Sequence, residues 1–247
     1  MGARVTAVNA LVARLPRARR QQLRRVLRRP RWGNLRRPTP FSATFGYDRG
    51  TPIDRYYLDR FLTEESGSIR GVVGEIAGTT LTDAYGGSRV TRTEVIDLDD
   101  DNPRVTLHAD LGRPSSLPAS RFDCLVVVQT LQYVAEPDVA VANCLQALRP
   151  GGTLLLAVPA LAAHDDHERD EDDHWRFWPG GVAELVARVA PDAAVRTVAY
   201  GNLITALAFL HGLAAEELRP AELAHTDLRF PVVVCARIER PVGSAGG

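Results

Sequence analysis

The 247-residue chain is 45% hydrophobic and 24% charged, an ordinary composition for a soluble globular protein with one α/β domain and extensions. No apolar run approaches the ~20 residues needed to cross a bilayer, which argues against a membrane-spanning protein. The basic N-terminus lacks the continuous apolar stretch of a secretory signal. Cys124, Cys144 and Cys235 lie far apart among aliphatic residues, as buried thiols in a reducing compartment do. We therefore predict a cytoplasmic location.

The charge of the chain is distributed unevenly. Residues 1–37 hold twelve arginines and no acid, although the whole chain has 30 basic and 30 acidic residues. Apolar residues at helical spacing predict an amphipathic helix over 5–15 and a second helix over 17–29, with a proline-containing linker up to residue 40. This arginine-rich arm has three possible partners: the acidic body of the protein or a protein partner, an anionic membrane surface, or nucleic acid. Nucleic acid is the least favoured, because no aromatic residues alternate with the arginines.

Strand and helix patterns alternate along the rest of the chain. A helix with an apolar face is predicted after Thr51 and Pro52, which form a suitable N-cap and first-turn pair. Further helices are predicted over 137–148 and 181–189. The predicted strands cover residues 71–76, 88–95, 104–108, 122–129, 153–158, 194–200 and 230–238. This alternation predicts an α/β fold with a doubly wound, mostly parallel, seven-stranded Rossmann-like sheet.

Three acids lie where a doubly wound sheet binds a ribose-bearing cofactor. Glu75 is in the first predicted strand, and Glu94, nineteen residues later, is placed to accept hydrogen bonds from ribose hydroxyls. Asp110, with Leu111 after it, follows the third strand, where a carboxylate could bind an adenine amino group. Gln129 and Thr130 follow the fourth strand and should face the same cleft.

The most specific motif is FDCLVVVQTLQYVAEPDVAVANCLQALRPGGTLLLAVP, residues 122–159. A buried strand, an amphipathic helix and Arg149-Pro150-Gly151-Gly152 precede another buried strand, and the glycines suit a sharp helix-to-strand turn. The string resembles the core of class I S-adenosylmethionine (SAM) dependent methyltransferases, of the type 11 kind. The segments FGYDRGTPIDRYYLDRFL and HWRFWPGGVAELV are similar to methyltransferase-like proteins encoded with glycan and natural-product biosynthesis enzymes.

The resemblance implies SAM as cofactor and a small-molecule or glycan-linked acceptor, methylated on oxygen or nitrogen. It also implies a domain over 41–240, with a capping segment (41–69), a cofactor-binding core (70–160) and an acceptor-side half (161–240), between the arm (1–40) and a tail (241–247). The alternative is a protein with a methyltransferase fold that is repurposed for other chemistry or serves as a noncatalytic partner in a biosynthetic complex.

The glycine-rich loop departs from the family pattern. Members of the family read [DE]-x-G-x-G-x-G after the first strand, whereas this chain has Ala77, Thr79 and Leu81 at the glycine positions and a displaced Gly78. A branched threonine resists positive backbone angles and would crowd a ligand. Either Gly78 supplies the turn with a shifted geometry, or the cofactor pocket is degenerate or adapted to a different ligand. Ala77, Gly78 and Thr79 remain the expected cofactor loop.

Other candidate residues lie outside the core. His174 follows the fifth strand and is a candidate base; Arg176 beside it is a candidate for the acceptor wall. In the YDRG string, Tyr47 could donate a hydrogen bond and Arg49 could pair with the methionyl carboxylate of the cofactor, or the string could be a structural turn. The acidic and histidine-rich residues 164–174 offer metal ligands, but such runs are usually solvated loops, so no metal site is predicted.

Overall fold

The computed structural model describes residues 16, 19, 21, 33–99, 101–165 and 173–242. The chain divides into two compact units, residues 1–39 and 40–247. Within the first unit, a short 3-10 turn covers Gly33–Leu35. The two predicted arm helices fall almost entirely outside the described residues, as does most of the predicted tail.

The second unit contains one seven-stranded sheet with the order β3-β2-β1-β4-β5-β7-β6. Neighbouring strands from β3 to β5 pair in parallel, and β7 is antiparallel to both β5 and β6. The strands are β1 (Gly71–Ile76), β2 (Val90–Asp97), β3 (Leu107–His108), β4 (Phe122–Val128), β5 (Leu148–Pro159), β6 (Ala194–Tyr200) and β7 (Val233–Glu239). The predicted doubly wound, mostly parallel sheet is therefore confirmed.

Helices cover both faces of this sheet. They are α1 (Ile53–Glu64), α2 (Thr80–Tyr85), α3 (Pro137–Ala147), α4 (Pro179–Val189), α5 (Leu203–Leu210) and α6 (Pro220–Ala224). Because successive side chains of a strand point to opposite faces, β4 contributes Leu125 and Val127 to the apolar cluster under α3 and α4. The alternate residues Cys124 and Val126 pack in a second cluster with α1 and α5. The two clusters fix the sheet between its helical layers.

The turn before β5 shows why the chain needs glycine there. Gly151 has a φ of +77°, in the region that favours glycine. A Cβ on Gly152 would lie 2.9 Å from the carbonyl oxygen of Arg149. The guanidinium of Arg149 donates to Asp123 at 2.7 Å, which ties the turn to the start of β4.

Several predicted boundaries were wrong. Strand β2 ends at Asp97 rather than Val95, and β3 is only two residues long. The N-cap of α1 is Pro52, while the hydroxyl of Thr51 donates to Glu216 at 2.6 Å. Helices α2, α5 and α6 were not predicted. In the described part of the chain, no helix has the length and apolar character needed to cross a membrane.

Candidate active site

A cleft of about 690 Å³ opens at the carboxyl ends of β1 to β4. Parallel strands of a doubly wound sheet leave their ligand crevice at this edge, where the strand order reverses. The walls combine carboxylates with apolar side chains. The lining residues are Ile76, Ala77, Ile96, Asp97, Leu98, Asp99, Ala109, Asp110, Leu111, Gly112, Thr130, Tyr133, Val134, Ala135, Asp165 and His174.

Asp97 is the acid at the end of β2 that lines the cleft. Its Oδ1 accepts from the backbone N–H of Leu98 at 2.7 Å and of Asp99 at 3.1 Å. Its Oδ2 accepts from the side-chain amide of Asn102 at 2.7 Å, and the same amide donates to the carbonyl oxygen of Ala77 at 3.1 Å. Asn102 therefore joins the loops after β1 and β2 and holds the Asp97 carboxylate in place. Neither Asp97 nor Asn102 was predicted as a site residue.

Asp110 and Leu111 lie on the cleft, where the sequence placed them. Oδ1 of Asp110 accepts from the backbone N–H of Gly112 at 2.8 Å, and Oδ2 lies 3.2 Å from Nε of Arg113. The Asp110 side chain is 33% exposed, so its carboxylate remains accessible to a ligand. Leu111 is buried and contributes an apolar surface next to it.

Glu75 fixes the chain after β1, which includes the expected cofactor loop at residues 77–79. Its Oε1 accepts from the backbone N–H of Leu81 at 2.9 Å and its Oε2 from that of Thr82 at 2.7 Å. These N–H groups belong to the first turn of α2 and have no intrahelical partner, so the carboxylate caps the helix and complements its dipole. Because both oxygens of this buried side chain are engaged, Glu75 supports the loop and is not among the residues lining the cleft.

Ala77, not Gly78, takes the special backbone conformation of the loop. Ala77 has a φ of +62° and lines the cleft. A Cβ on Gly78 would meet no atom within 4 Å, and Gly78 is not among the glycines with positive φ. Thr79 has a φ of −126°, which suits a branched residue, and its hydroxyl donates to Asp83 at 2.7 Å. The expectations that Gly78 would supply the turn and that Thr79 would strain it were wrong, since the turn sits one residue earlier.

Glu94, the predicted ribose-binding acid, lies away from the cleft. Because β2 continues for three more residues, Glu94 lies inside the strand opposite Gly74 and is not among the residues lining the cleft. It is buried, with Oε2 2.7 Å from Nε of Arg121 and Oε1 3.2 Å from Arg92. Glu94 is thus the acid of an ion-pair cluster, whereas Asp97 is the acid of β2 that lines the cleft.

A second, smaller cavity of about 140 Å³ adjoins the cleft. Tyr133 and Asp165 line both, and the Tyr133 hydroxyl donates to Asp165 at 3.0 Å. Burial, followed by this hydrogen bond, raises the pKa of Tyr133 to about 12, so its hydroxyl keeps its proton at neutral pH. The hydrogen-bonded Tyr133 and Asp165 thus lie between the cleft and the smaller cavity. The smaller cavity is lined by Phe45, Tyr47, Asp54, Arg55, Gln129, Gln132, Tyr133, Pro159, Leu161, Ala162, Ala163, Asp165, Asp173, Arg176, Phe209 and Val232.

Gln129 lines this second cavity rather than the larger cleft, where its neighbour Thr130 lies. Its φ is +49°, which turns the chain sharply at the end of β4. Its side-chain amide donates to Oδ2 of Asp54 at 3.3 Å. Asp54 was not predicted as a site residue. Burial, opposed by weaker interactions with Arg55, raises the pKa of its carboxyl.

Tyr47 and Arg49 of the YDRG string lie in different surroundings. Tyr47 is 58% exposed and lines the second cavity. Arg49 donates to both oxygens of Glu217, from Nε at 2.9 Å and from Nη2 at 2.5 Å. It is not among the residues lining either space. The structure thus places Arg49 in a turn paired with Glu217 and not beside the cleft, where the cofactor was expected.

His174 and Arg176 line different spaces. His174 is exposed and lines the cleft, and its backbone N–H donates to the carbonyl oxygen of Gln132 at 2.9 Å. Arg176 lines the second cavity, where its guanidinium binds both oxygens of Asp173 at 2.5 and 2.7 Å. That pairing lowers the pKa of Asp173 and raises that of Arg176, so both are charged near neutral pH.

Metal ligands could come from the loop at 164–174, of which the structure describes residues 164, 165, 173 and 174. Among the described residues, no group of three or more histidine, cysteine or acidic side chains is arranged to hold a metal ion. Residues 166–172 lie outside that part of the chain.

Part of the chain matches a known protein family. Residues 87–156 match the family model described as "Methyltransferase domain". The matched segment contains Asp97, Asp110 and the PGG turn, and it begins after the altered loop at 77–81. No curated protein matches the chain.

Solved structures match over most of the chain at low identity. A SAM-dependent methyltransferase from Mesorhizobium loti is 16% identical with a TM-score of 0.50, covering 76% of this chain and 98% of that one. The fold is that of class I methyltransferases. Also similar are the N-methyltransferase NodS of Bradyrhizobium japonicum, in complex with S-adenosyl-L-homocysteine (15%, TM-score 0.49, 78% and 90% covered), and a SAM-dependent methyltransferase from Archaeoglobus fulgidus (11%, 0.49, 75% and 94%).

Proposed function

We propose that this protein transfers a methyl group from SAM to an oxygen or nitrogen atom of a sugar or natural-product intermediate. The observation that carries the proposal is the large cleft at the switch point of the sheet, with Asp97 and Asp110 on its walls and a smaller cavity next to it. Its volume of about 690 Å³ lies within the range of small-molecule sites.

The residues of the cleft suit a nucleoside-type ligand. Asp97 follows β2, where an acid binds ribose hydroxyls in doubly wound sheets. The accessible carboxylate of Asp110 would accept from the adenine amino group, with Ile96 and Leu111 as apolar surfaces beside the ring. The backbone around Ala77 and Gly78 would lie along the methionine portion, and no Cβ at Gly78 obstructs the approach.

SAM supplies an electrophilic methyl group, and the rest of the reaction depends mainly on proximity and orientation. The protein would hold the acceptor in the cavity beyond Tyr133 and Asp165. Tyr47 and Arg176 line that cavity and are proposed acceptor-binding residues, while His174 on the cleft side is a proposed base.

A thermal-shift experiment with SAM and S-adenosylhomocysteine (SAH) tests the cofactor assignment. Both compounds should raise the unfolding temperature in proportion to the logarithm of their concentration once they exceed the Kd. Adenosine alone should give a smaller shift, because it lacks the methionine portion. The absence of any shift at millimolar SAM and SAH would contradict the proposal.

The second candidate is a methyltransferase fold that no longer methylates. The alanine held at φ +62° in place of a glycine favours it, because the loop that meets the cofactor is altered. A protein that binds neither SAM nor SAH supports this second candidate.

We also propose a cytoplasmic location and an anionic membrane surface as a partner of the arginine-rich arm. A cytoplasmic protein would meet a glycan-linked acceptor at the membrane surface if the arginine-rich arm binds anionic lipid. Cosedimentation of the full chain and of a chain lacking residues 1–37 with anionic vesicles tests this. Equal sedimentation of the two chains would contradict membrane binding by the arm.

A further inference from the structure

One buried carboxylate in the second cavity is incompletely satisfied. The described residues contain four buried acids: Asp54, Glu65, Glu75 and Glu94. Glu75 and Glu94 have partners on both oxygens, and Glu65 is ion-paired through both with Arg196 and Arg237. Oδ1 of Asp54, by contrast, has no hydrogen-bond partner among the described residues.

Two neighbours of Asp54 in the same cavity wall are also incompletely paired. Oε1 of Gln132 and Nε of Arg55 are buried without a hydrogen-bond partner in the described part of the chain. Nε of Arg55 lies 3.7 Å from Oδ2 of Asp54, an ion-pair distance that is too long for a hydrogen bond. Buried polar atoms are nearly always paired, because an unpaired one loses its hydrogen bonds to water without a replacement. Three such atoms on residues lining one cavity indicate a ligand subsite.

The unpaired atoms define the chemistry of that ligand. Two of them, on Asp54 and Gln132, accept hydrogen bonds, and the third, on Arg55, donates one. A hydroxyl group both donates and accepts and can therefore meet all three atoms, whereas an ammonium group only donates and would leave Nε of Arg55 without an acceptor. On the other side, the cavity is lined by the rings of Phe45 and Phe209, with centroids 6.2 Å apart, and by aliphatic residues. A ring with a hydroxylated edge and an apolar face fits both walls.

We propose that Asp54, Arg55 and Gln132 form a subsite for a hydroxyl group of the acceptor, in which Oδ1 of Asp54 accepts the hydroxyl hydrogen bond. The proposal rests on the proposed function and narrows it: the acceptor carries a hydroxyl group that is held in the cavity next to the cleft. Asp54 reaches this place because α1 begins at Ile53 and packs against β7, while Gln129, just after β4, contacts the carboxylate.

The electrostatics of the cavity support this role. Burial raises the pKa of Asp54 against the opposing effect of Arg55. A donated hydrogen bond from a hydroxyl would favour the charged carboxylate and lower that pKa again. The ionisable groups around Asp54 are Arg55, Tyr47, Tyr133, Asp165, Asp173 and Arg176 on the cavity walls and the Cys235 thiol on β7.

The first test needs no ligand. A carboxyl whose folded pKa is raised stabilises the protein below its unfolded pKa, and this contribution is lost as the pH rises through the folded pKa. Asp54→Asn should therefore be at least as stable as the wild type at pH 8 and should lack this part of the pH dependence in urea denaturation. Asp59→Asn, an exposed acid on the same helix, is the matched control and should keep it. An Asp54→Asn protein that is less stable than wild type at pH 8 would show a structural carboxylate and overturn the proposal.

The second test uses glycerol and methyl α-D-glucopyranoside as probes, with n-propylammonium as the comparison. The carboxyl ¹³C resonance of Asp54 is assigned by its loss in Asp54→Asn and followed during titration at constant pH. Saturable movement with the two polyols, and none with the amine, is expected. Movement with the amine alone, or no movement with any probe at molar concentration, overturns the proposal.

SAH binding by Asp54→Asn separates this inference from the proposed function. SAH affinity should stay within about two-fold of wild type, because Asp54 does not line the large cleft. If neither protein binds SAH, the proposed function fails, while the polyol titration still reports on the subsite.

Discussion

Replacement of Ala77 by glycine should stabilise the protein. Ala77 is the non-glycine residue of the cofactor loop with φ at +62°, while the adjacent Gly78 lies in open space without a positive φ. Glycine adopts the left-handed region without the Cβ conflict that alanine experiences there. The loop therefore has its glycine one position away from the residue that needs it.

The expected gain can be worked out from two opposing effects. The left-handed conformation costs a non-glycine residue about 1–2 kcal/mol. Glycine also increases the entropy of the unfolded chain, which offsets about 0.4–1 kcal/mol. The net increase in the free energy of unfolding for Ala77→Gly is therefore about 0.5–1 kcal/mol. Gly78→Ala, which meets no clash, should also gain, by about 0.5 kcal/mol, through the same unfolded-state effect.

Equilibrium urea denaturation of the two variants and the wild type measures both changes. The m-values should not change, because neither replacement alters the surface exposed on unfolding. If Gly78 carried the special backbone conformation instead, both signs would reverse. Destabilisation of more than 0.5 kcal/mol by either replacement would therefore refute the placement of the turn at Ala77.

Three further predictions concern residues outside the cleft. Glu94→Gln should lower the free energy of unfolding by about 2 kcal/mol in urea denaturation, since it removes the buried partner of Arg121; an unchanged stability would contradict the ion-pair role. Arg49→Met should leave the urea midpoint and the SAH affinity nearly unchanged, because the exposed Arg49–Glu217 pair lies outside the cleft; a weakened SAH affinity in calorimetry would place Arg49 in the cofactor site. Thiol reagents at pH 8 should leave the native protein unmodified by mass spectrometry, because burial raises the pKa of all three thiols; rapid labelling of any one would show that its surroundings open. Those thiols are Cys124, Cys144 and Cys235.

The sheet could be predicted from the sequence because its strands differ strongly from their surroundings. The buried runs in β4 and β5 are continuous and apolar, and PGG marks the turn between α3 and β5. Short helices were harder. Helix α2 has only six residues, and its start depends on the Glu75 carboxylate, whose contacts the local pattern does not reveal.

The site could be predicted only as far as local patterns extend. Asp110 and Leu111 lie on the cleft, as expected, because they come just after the end of β3. The end of β2 was misjudged, because its first half is exposed and its buried half runs on to Asp97. Asp54 gave no signal, since an acid in the first turn of a helix is ordinary. Its burial depends on the packing of α1 against β7, and the pairing of Arg49 with Glu217 likewise joins residues distant in the chain.

Calorimetric titration of wild type, Asp97→Asn and Glu94→Gln with SAH tests the central claim most directly. The wild type should bind one equivalent. Asp97→Asn should bind about 10- to 100-fold more weakly, the loss expected for a charged hydrogen bond of about 1.5–3 kcal/mol. Glu94→Gln, titrated well below its unfolding temperature, should bind as tightly as wild type. Absence of binding by the wild type at millimolar SAH, or a larger loss in Glu94→Gln than in Asp97→Asn, would contradict the assignment of the cleft.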